Sequence, residues 1–425
     1  GTQNAGVRER FDSTAAPARI TPMTASRTRL VSLDCLRGFA ILGILLINIR
    51  AFGQVSTAYV NPGLAGSFEG LDFWIWFVTH VLAEYKFIPM LAALFGAGML
   101  IQSERLQAMG QDPSLVHRRR MLSLAAIGFL HITLIWYGDI LLLYAIVGLI
   151  AFRFRDRSPQ RLFGLAFLFY LVPTLFAFLM GAIFHYMPQE EYRELVTTMW
   201  SPDARMVVTE REIYQASSWL AQFNHRLNTL VQGYIWGVLT EEGWRVLAMM
   251  LTGMALYRAG FFTGEWPLSP YRRLLILGLG IGIPLSQYGV LYNLSHEWEM
   301  RKSLYLGRQF NLWAGPLVSM AWASLVMIVV RQWRFPWLLE RLGALGRVAL
   351  SGYLLSSVIG TGLFYGIGLG LFASVDRADQ MLIVVGIWLL LLVVAPLWLR
   401  FFQYGPVEWL WRWATYGERP PLLRA

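Results

Sequence analysis

One apolar stretch of the chain, residues 73–101, carries His80, Glu84 and Lys86 ahead of Pro89. His80 and Glu84 lie four residues apart and share a helical face, whereas Lys86 points elsewhere unless Pro89 rewinds the helix. Ionisable groups at membrane depth are costly, so they must pair or line a wet cavity. Two readings follow. One is a structural ion-pair network joining Lys86 and Glu84 to Asp34 or Asp139; the other is a lined site in which Lys86 binds an anionic group. His131 precedes Asp139 by eight residues, about 12 Å along a helix. Imidazole titrates near neutrality, which makes His131 the best base candidate in the membrane, set against a reading as a hydrogen-bonded core histidine. Asp139 is placed to cap the helix that follows it. Asn48, near the far end of the first apolar run, either bonds a neighbouring helix or orients a substrate. Asp34 and Arg37, three apart at the near end of that run, can pair.

The elements that carry these residues follow from composition. The 425 residues are 56% hydrophobic and only 15% charged, with mean hydropathy +0.48. Repeated apolar runs of about twenty residues predict an all-α polytopic membrane protein. About ten spans are expected, at 32–52, 73–101, 120–137, 139–153, 161–186, 235–259, 272–292, 311–331, 347–372 and 380–400. Arginines cluster in alternate loops (Arg118–Arg120; Arg153 to Arg161; Arg258 to Arg273; Arg331 to Arg347), while the loops between are poor in basic residues or balance them with acids. Under the positive-inside rule this places both termini in the cytoplasm. The net charge of +10 therefore reads as topology, with no nucleic-acid partner expected.

Three parts follow: a disordered cytoplasmic tail at 1–28 rich in Ala, Thr and Ser, a transmembrane helical domain at 29–403, and a cytoplasmic interfacial helix and tail at 404–425. Within the second, 187–234 reads as an extracytoplasmic amphipathic segment, one or two helices lying as a lid over a cavity. The single Cys35 excludes an internal disulfide. The six histidines fall in no metal-ligand spacing, so no metal is expected. Gly-rich stretches at 95–98 and 365–370 lie in apolar helices and suit close helix packing.

Several stretches together resemble one family. They are Ser32-Leu33-Asp34-Cys35-Leu36-Arg37-Gly38 with Asn48-Ile49, and Lys86-Phe87 before Leu94-Phe95-Gly96-Ala97-Gly98. Gly138-Asp139-Ile140-Leu141, Gly346-Arg347-Val348-Ala349-Leu350 and Gly405-Pro406-Val407-Glu408-Trp409-Leu410-Trp411-Arg412 complete the set. From Arg27 onward the chain resembles the YeiB family of bacterial inner-membrane proteins. That family is in turn similar to transmembrane acyltransferases such as heparan-α-glucosaminide N-acetyltransferase. The resemblance implies transfer of an acyl group from a cytoplasmic thioester such as acyl-CoA to a small-molecule, glycan or lipid acceptor. Asn48 matches an Asn of those enzymes. Their catalytic His does not carry over, because no histidine lies between Asn48 and His80; His131 or His80 takes the base role instead. Asp34, Arg37, Glu84, Lys86, Asp139 and Arg347 are the substrate-binding candidates, with Arg118–Arg120 near the CoA phosphates. The alternative is a transporter or lipid- or small-molecule-binding protein using a polar cavity around Glu84, Lys86 and His131. A homodimer glued by intramembrane polar groups is a third expectation, with membrane lipids as partners in every case.

Overall fold

The structure, a computed structural model, describes residues 21–424 apart from Pro202 and Glu265, with side chains from residue 31 onward. Most of the expected tail, residues 1–20, lies outside the described residues. Residues 21–28 are instead the first turns of helix α1, Thr21–Gly53. No proline falls between Pro22 and Pro62, so nothing in the sequence interrupts the helix once it is nucleated.

After α1 come α2 (Gly70–Leu82), α3 (Phe87–Ala108), α4 (Pro113–Leu134), α5 (Leu141–Ala151) and α6 (Pro159–Tyr186). Their starts are written in the sequence: Asp112 before Pro113 accepts from Ser114 N at 2.9 Å, and Ser158 before Pro159 accepts from Arg161 N. Three short helices follow, α7 (Gln189–Leu195), α8 (Arg205–Gln215) and α9 (Trp219–Thr229). From α9 the chain stays helical through π-helical turns at Leu230–Tyr234 and Val238–Glu242 into α10 (Gly243–Arg258). The remainder comprises α11 (Leu268–Ser295), α12 (Arg308–Arg331), α13 (Pro336–Arg347), α14 (Ala349–Phe364), α15 (Arg377–Phe401) and α16 (Pro406–Tyr416).

The chain is an all-α polytopic membrane protein. Each expected span contains helix, and among the described residues six helices are long and apolar enough to cross a membrane, or seven if α13 and α14, bent by 86°, form one broken span. The others fall short singly for visible reasons. α4 carries Arg118, Arg119 and Arg120, α5 has 11 residues, and α10 and α14 have 16 each. The ninth expected span also stops early. Gly366, Gly368 and Gly370 lie beyond α14 in a turn, with Gly370 at φ +71° and Gly366 N donating to Tyr214 O of α8. Three glycines in five residues favour that turn over continued helix.

α1 is the axle of the bundle: 78% of its spanning window is buried, against 28% for α11 and for α15, which face outward. Glycines bring its neighbours in. A Cβ at Gly38 would overlap the Leu342 carbonyl of α13, and one at Gly346 would overlap the Asp34 carbonyl of α1. The same reciprocal contact joins α3 and α10 through Gly96 and Gly253. Backbone approach at such crossings is how apolar helices pack tightly when lipid supplies no hydrophobic drive.

Candidate functional site

The break between α2 and α3 gathers the first set of ionisable residues. It lies at Ala83–Lys86 rather than at Pro89, with Tyr85 at φ +61°. Pro89 is still its cause, because a proline ring clashes with the carbonyl four residues back, here that of Tyr85. The unwinding turns Lys86 back toward His80. Lys86, fully buried, donates through Nζ to His80 O at 3.0 Å, to Ser286 Oγ at 3.3 Å and to Asn311 Oδ1. Glu84 Oε2 meets His80 Nδ1 at 3.0 Å and accepts from Arg50 Nη2 at 2.5 Å. The network expected from sequence, Lys86 and Glu84 with Asp34 or Asp139, does not form. Glu84 instead neutralises Arg50, Asp34 pairs with Arg37 at 3.0 Å, and Lys86 is held by neutral oxygens. Arg50, Ser286 and Asn311 complete this cluster, and sequence reasoning missed all three as its members. Asn311 and Arg50 were detectable as polar residues inside apolar runs.

The second set stands between α4 and α5. His131 Nδ1 meets Asp139 Oδ2 at 2.7 Å, and the other carboxylate oxygen accepts from Leu142 N at 2.7 Å. Asp139 therefore caps the start of α5 and orients the imidazole in one act. His131 Nε2 is buried and has no hydrogen-bond partner among the described residues. The ring centroids of Tyr353 and Trp136 lie 5.4 and 6.3 Å from that of the imidazole.

Cavities approach this pair from two sides. One of about 430 Å³ is lined at its polar end by Asp34, Arg37, Arg120, Arg347 and Arg412, and deeper by Leu141, Tyr144 and Tyr353. Glu408 of α16 closes its wall by accepting from Leu350 N at 2.7 Å and Ser351 N at 3.0 Å, the unpaired amides that begin α14. Burial raises the Glu408 carboxyl above the ordinary carboxylate range. The stretches 346–350 and 405–412 meet at this contact. On the other side, a cavity of about 250 Å³ is lined by Asn48, Arg50, Gln54, Ser56, Trp136 and Gly138. It adjoins one of about 360 Å³ that shares Tyr59, Ile88, Tyr137 and Gly138 and includes Asp139, Arg245 and Arg308. Asp34 and Asn48 are fourteen residues apart on α1, about 21 Å at 1.5 Å per residue, so the two systems open toward opposite ends of one helix. Ile140 lines both, and Gly138-Asp139-Ile140 is the partition.

The candidates thus divide into groups. Asp34, Arg37 and Arg347 share the basic cavity, and Asn48 lines the opposite one. His131 and Asp139 stand at the partition, while His80, Glu84 and Lys86 lie in the α2–α3 break. Of these three, as of His131, none lines a wall of the three large cavities.

α8 docks on the wall of the Asn48 cavity through Ser56, and α9 docks on the end of α4. Glu210 accepts from Ser56 N at 3.0 Å and Ser56 Oγ at 2.8 Å, and burial pushes its carboxyl up to about 7. Arg226 donates to Thr133 O at 2.8 Å and Leu134 O at 3.3 Å, the free carbonyls ending α4.

The family described as "Protein of unknown function (DUF418)" matches residues 256–418. Uncharacterized protein YeiB of Escherichia coli (strain K12) is 33% identical over 397 residues, 93% of this chain and 98% of its own length. The chain belongs to the YeiB family. Uncharacterized protein YxaH of Bacillus subtilis (strain 168) is 29% identical over 94% of this chain and 98% of its own. An uncharacterized 39.9 kDa protein from the amylase 3' region of Bacillus acidopullulyticus is 24% identical over 93% and 96%. No solved structure matches the chain. Identity to the YeiB relatives runs through the whole helical bundle, so both cavity systems lie inside the family's shared extent.

Proposed function

We propose that this YeiB-family protein is a transmembrane acyltransferase of a bacterial cytoplasmic membrane, with both termini cytoplasmic. The observation that carries the reading is the His131–Asp139 pair, its Nε2 without a partner, set at the partition between cavities that approach from opposite ends. An acyl thioester such as acyl-CoA enters the basic cavity. Arg37, Arg120, Arg347 and Arg412 meet its phosphates, and the apolar depth by Leu141 and Tyr144 takes the acyl chain. The acceptor enters the Asn48 cavity.

At the partition His131 Nε2 takes the proton of the acceptor's hydroxyl or amine as the new O–C or N–C bond forms. Asp139 stabilises the resulting imidazolium. The tetrahedral oxyanion is met by the Asn48 amide. Its collapse breaks the C–S bond, and the imidazolium returns its proton to the departing thiolate. His131 is one side chain removed from each cavity, behind Trp136 on the Asn48 side and Tyr353 on the basic side, so rotation of each ring admits the reactant from its own side.

The test is acyl-CoA turnover by the purified full chain in lipid nanodiscs. The expected result is slow thioester hydrolysis, accelerated by acceptor and abolished in His131→Ala. Turnover unchanged in His131→Ala, or no binding of acyl-CoA by the folded wild-type protein, overturns the reading.

A further inference from the structure

The Asn48 cavity and its neighbour have a one-sided hydrogen-bond balance. Arg50 is 5% exposed, spends Nη2 on Glu84, and leaves Nε and Nη1 without partners among the described residues. Trp136 Nε1 and Arg308 Nε, on the walls of the two cavities, are also unpartnered donors. The acids that face this space are already engaged. Asp139 is held by His131 and Leu142 N, and Glu242 lies 3.5 Å from Arg245. Behind Arg50, Glu84 is shared with His80. Buried donors are normally matched, and an unmatched one costs about 1–3 kcal/mol, more for a charged group. Unmatched buried donors on these walls favour an oxygen acceptor in the space, and a guanidinium among them favours a charged one.

We propose that the Asn48 cavity is an oxyanion-binding site in which the free edge of Arg50 holds the carboxylate or phosphate of a small solute, with Trp136 Nε1 as a second donor. Tyr59 flanks the guanidinium, whose centre lies 5.4 Å from the ring centroid, and keeps it out of bulk water. Glu84 sets the strength of the site: its carboxylate at 2.5 Å offsets part of the Arg50 charge, so the anion meets a partly neutralised cation. The inference deepens the acyl-transfer reading and rests on it for the solute's role as acceptor. The binding itself needs no acyl donor, so the titration below and the turnover assay fail independently.

Isothermal titration of the full chain in nanodiscs with inorganic phosphate, glucuronate and glucose tests the site. Phosphate and glucuronate bind and compete, and glucose does not. A preference between the two anions says which oxyanion the solute carries. Glu84→Gln binds both more tightly than wild type, and saturating phosphate raises its melting temperature more than that of wild type. Arg50→Gln together with Glu84→Gln removes both charges, so neither is stranded in the bundle. That double variant weakens both anions by about tenfold or more. Glucose binding as well as glucuronate, no anion binding, or weaker anion binding in Glu84→Gln overturns the proposal, and so does unchanged binding in the folded double variant.

Discussion

Two histidines in this bundle each meet a carboxylate through Nδ1, and their surroundings separate them. His80 shares Glu84 with Arg50, stacks on Trp76 at 4.7 Å between centroids, and lends its carbonyl to Lys86. His131 has Asp139 as its carboxylate, and that acid's other oxygen is fixed by a backbone amide. The first histidine is a member of a cross-braced cluster tying α1 and the α2–α3 break to α11 and α12. The second is oriented by a single acid that is itself locked, and it keeps a nitrogen open at the partition. A charged cluster with its main bonds made favours one arrangement of helices, whereas an oriented imidazole with a free nitrogen is the arrangement that moves a proton.

The largest effect that separates them is on chemistry. His131→Ala is expected to lower acyl turnover per folded molecule about 10²–10⁴-fold, the usual contribution of a general base, and to lower the melting temperature as well because it leaves the buried Asp139 without its partner. His80→Ala is expected to leave turnover per folded molecule within about threefold while lowering the melting temperature. Turnover rates normalised to folded protein check both. The reverse pattern would move the chemistry to the α2–α3 break and dissolve the contrast.

The next effect is on stability. Glu84→Ala strands Arg50, a buried cation, and removing one member of a buried pair costs about 3–5 kcal/mol. Asp139→Asn keeps an oxygen to cap α5 and is expected to cost about 1 kcal/mol or less, while still depriving His131 of its orienting charge. Glu84→Ala should therefore be the less stable protein and Asp139→Asn the less active folded one. Thermal unfolding in nanodiscs beside turnover reads both axes.

Sequence carried the class of this fold and the identity of most polar residues, because apolar runs and arginine-rich loops are local features. It did not carry their partners. Asn48 and Arg50 were visible as interruptions of one apolar run, yet only the assembled bundle pairs Arg50 with Glu84, 34 positions away. Lys86 was visible too, but its acceptors Ser286 and Asn311 lie about two hundred residues on. Pro89 marks the disturbance in the sequence, and the break itself falls a turn earlier, since the clash is with the carbonyl four residues back. The Asp139 cap was legible because a cap is local. The opposed cavities were not, because a cavity is a property of several helices at once.

The smallest effect concerns access, and it sharpens the contrast because α8 is tied to the wall of the Asn48 cavity beside the partition. Glu210 latches α8 to Ser56 on the wall of the Asn48 cavity, and its carboxyl titrates near 7 when docked against 4.5 when free. Docking therefore takes up a proton. The docked position of α8 is favoured most below the free value, and that advantage is lost as pH rises through about 7, by at most a few kcal/mol. Hydrogen exchange of residues 205–215 should quicken from pH 5 to pH 8 beyond the intrinsic chemical rate. In Glu210→Gln, which keeps an oxygen for Ser56 and cannot ionise, the excess should vanish. At pH 8 the same variant should slow entry of an acceptor to the Asn48 cavity, while exchange in the α2–α3 break stays unchanged. An equal response in both regions would mean that the Glu210 contact steadies the whole bundle rather than the region around the Asn48 cavity.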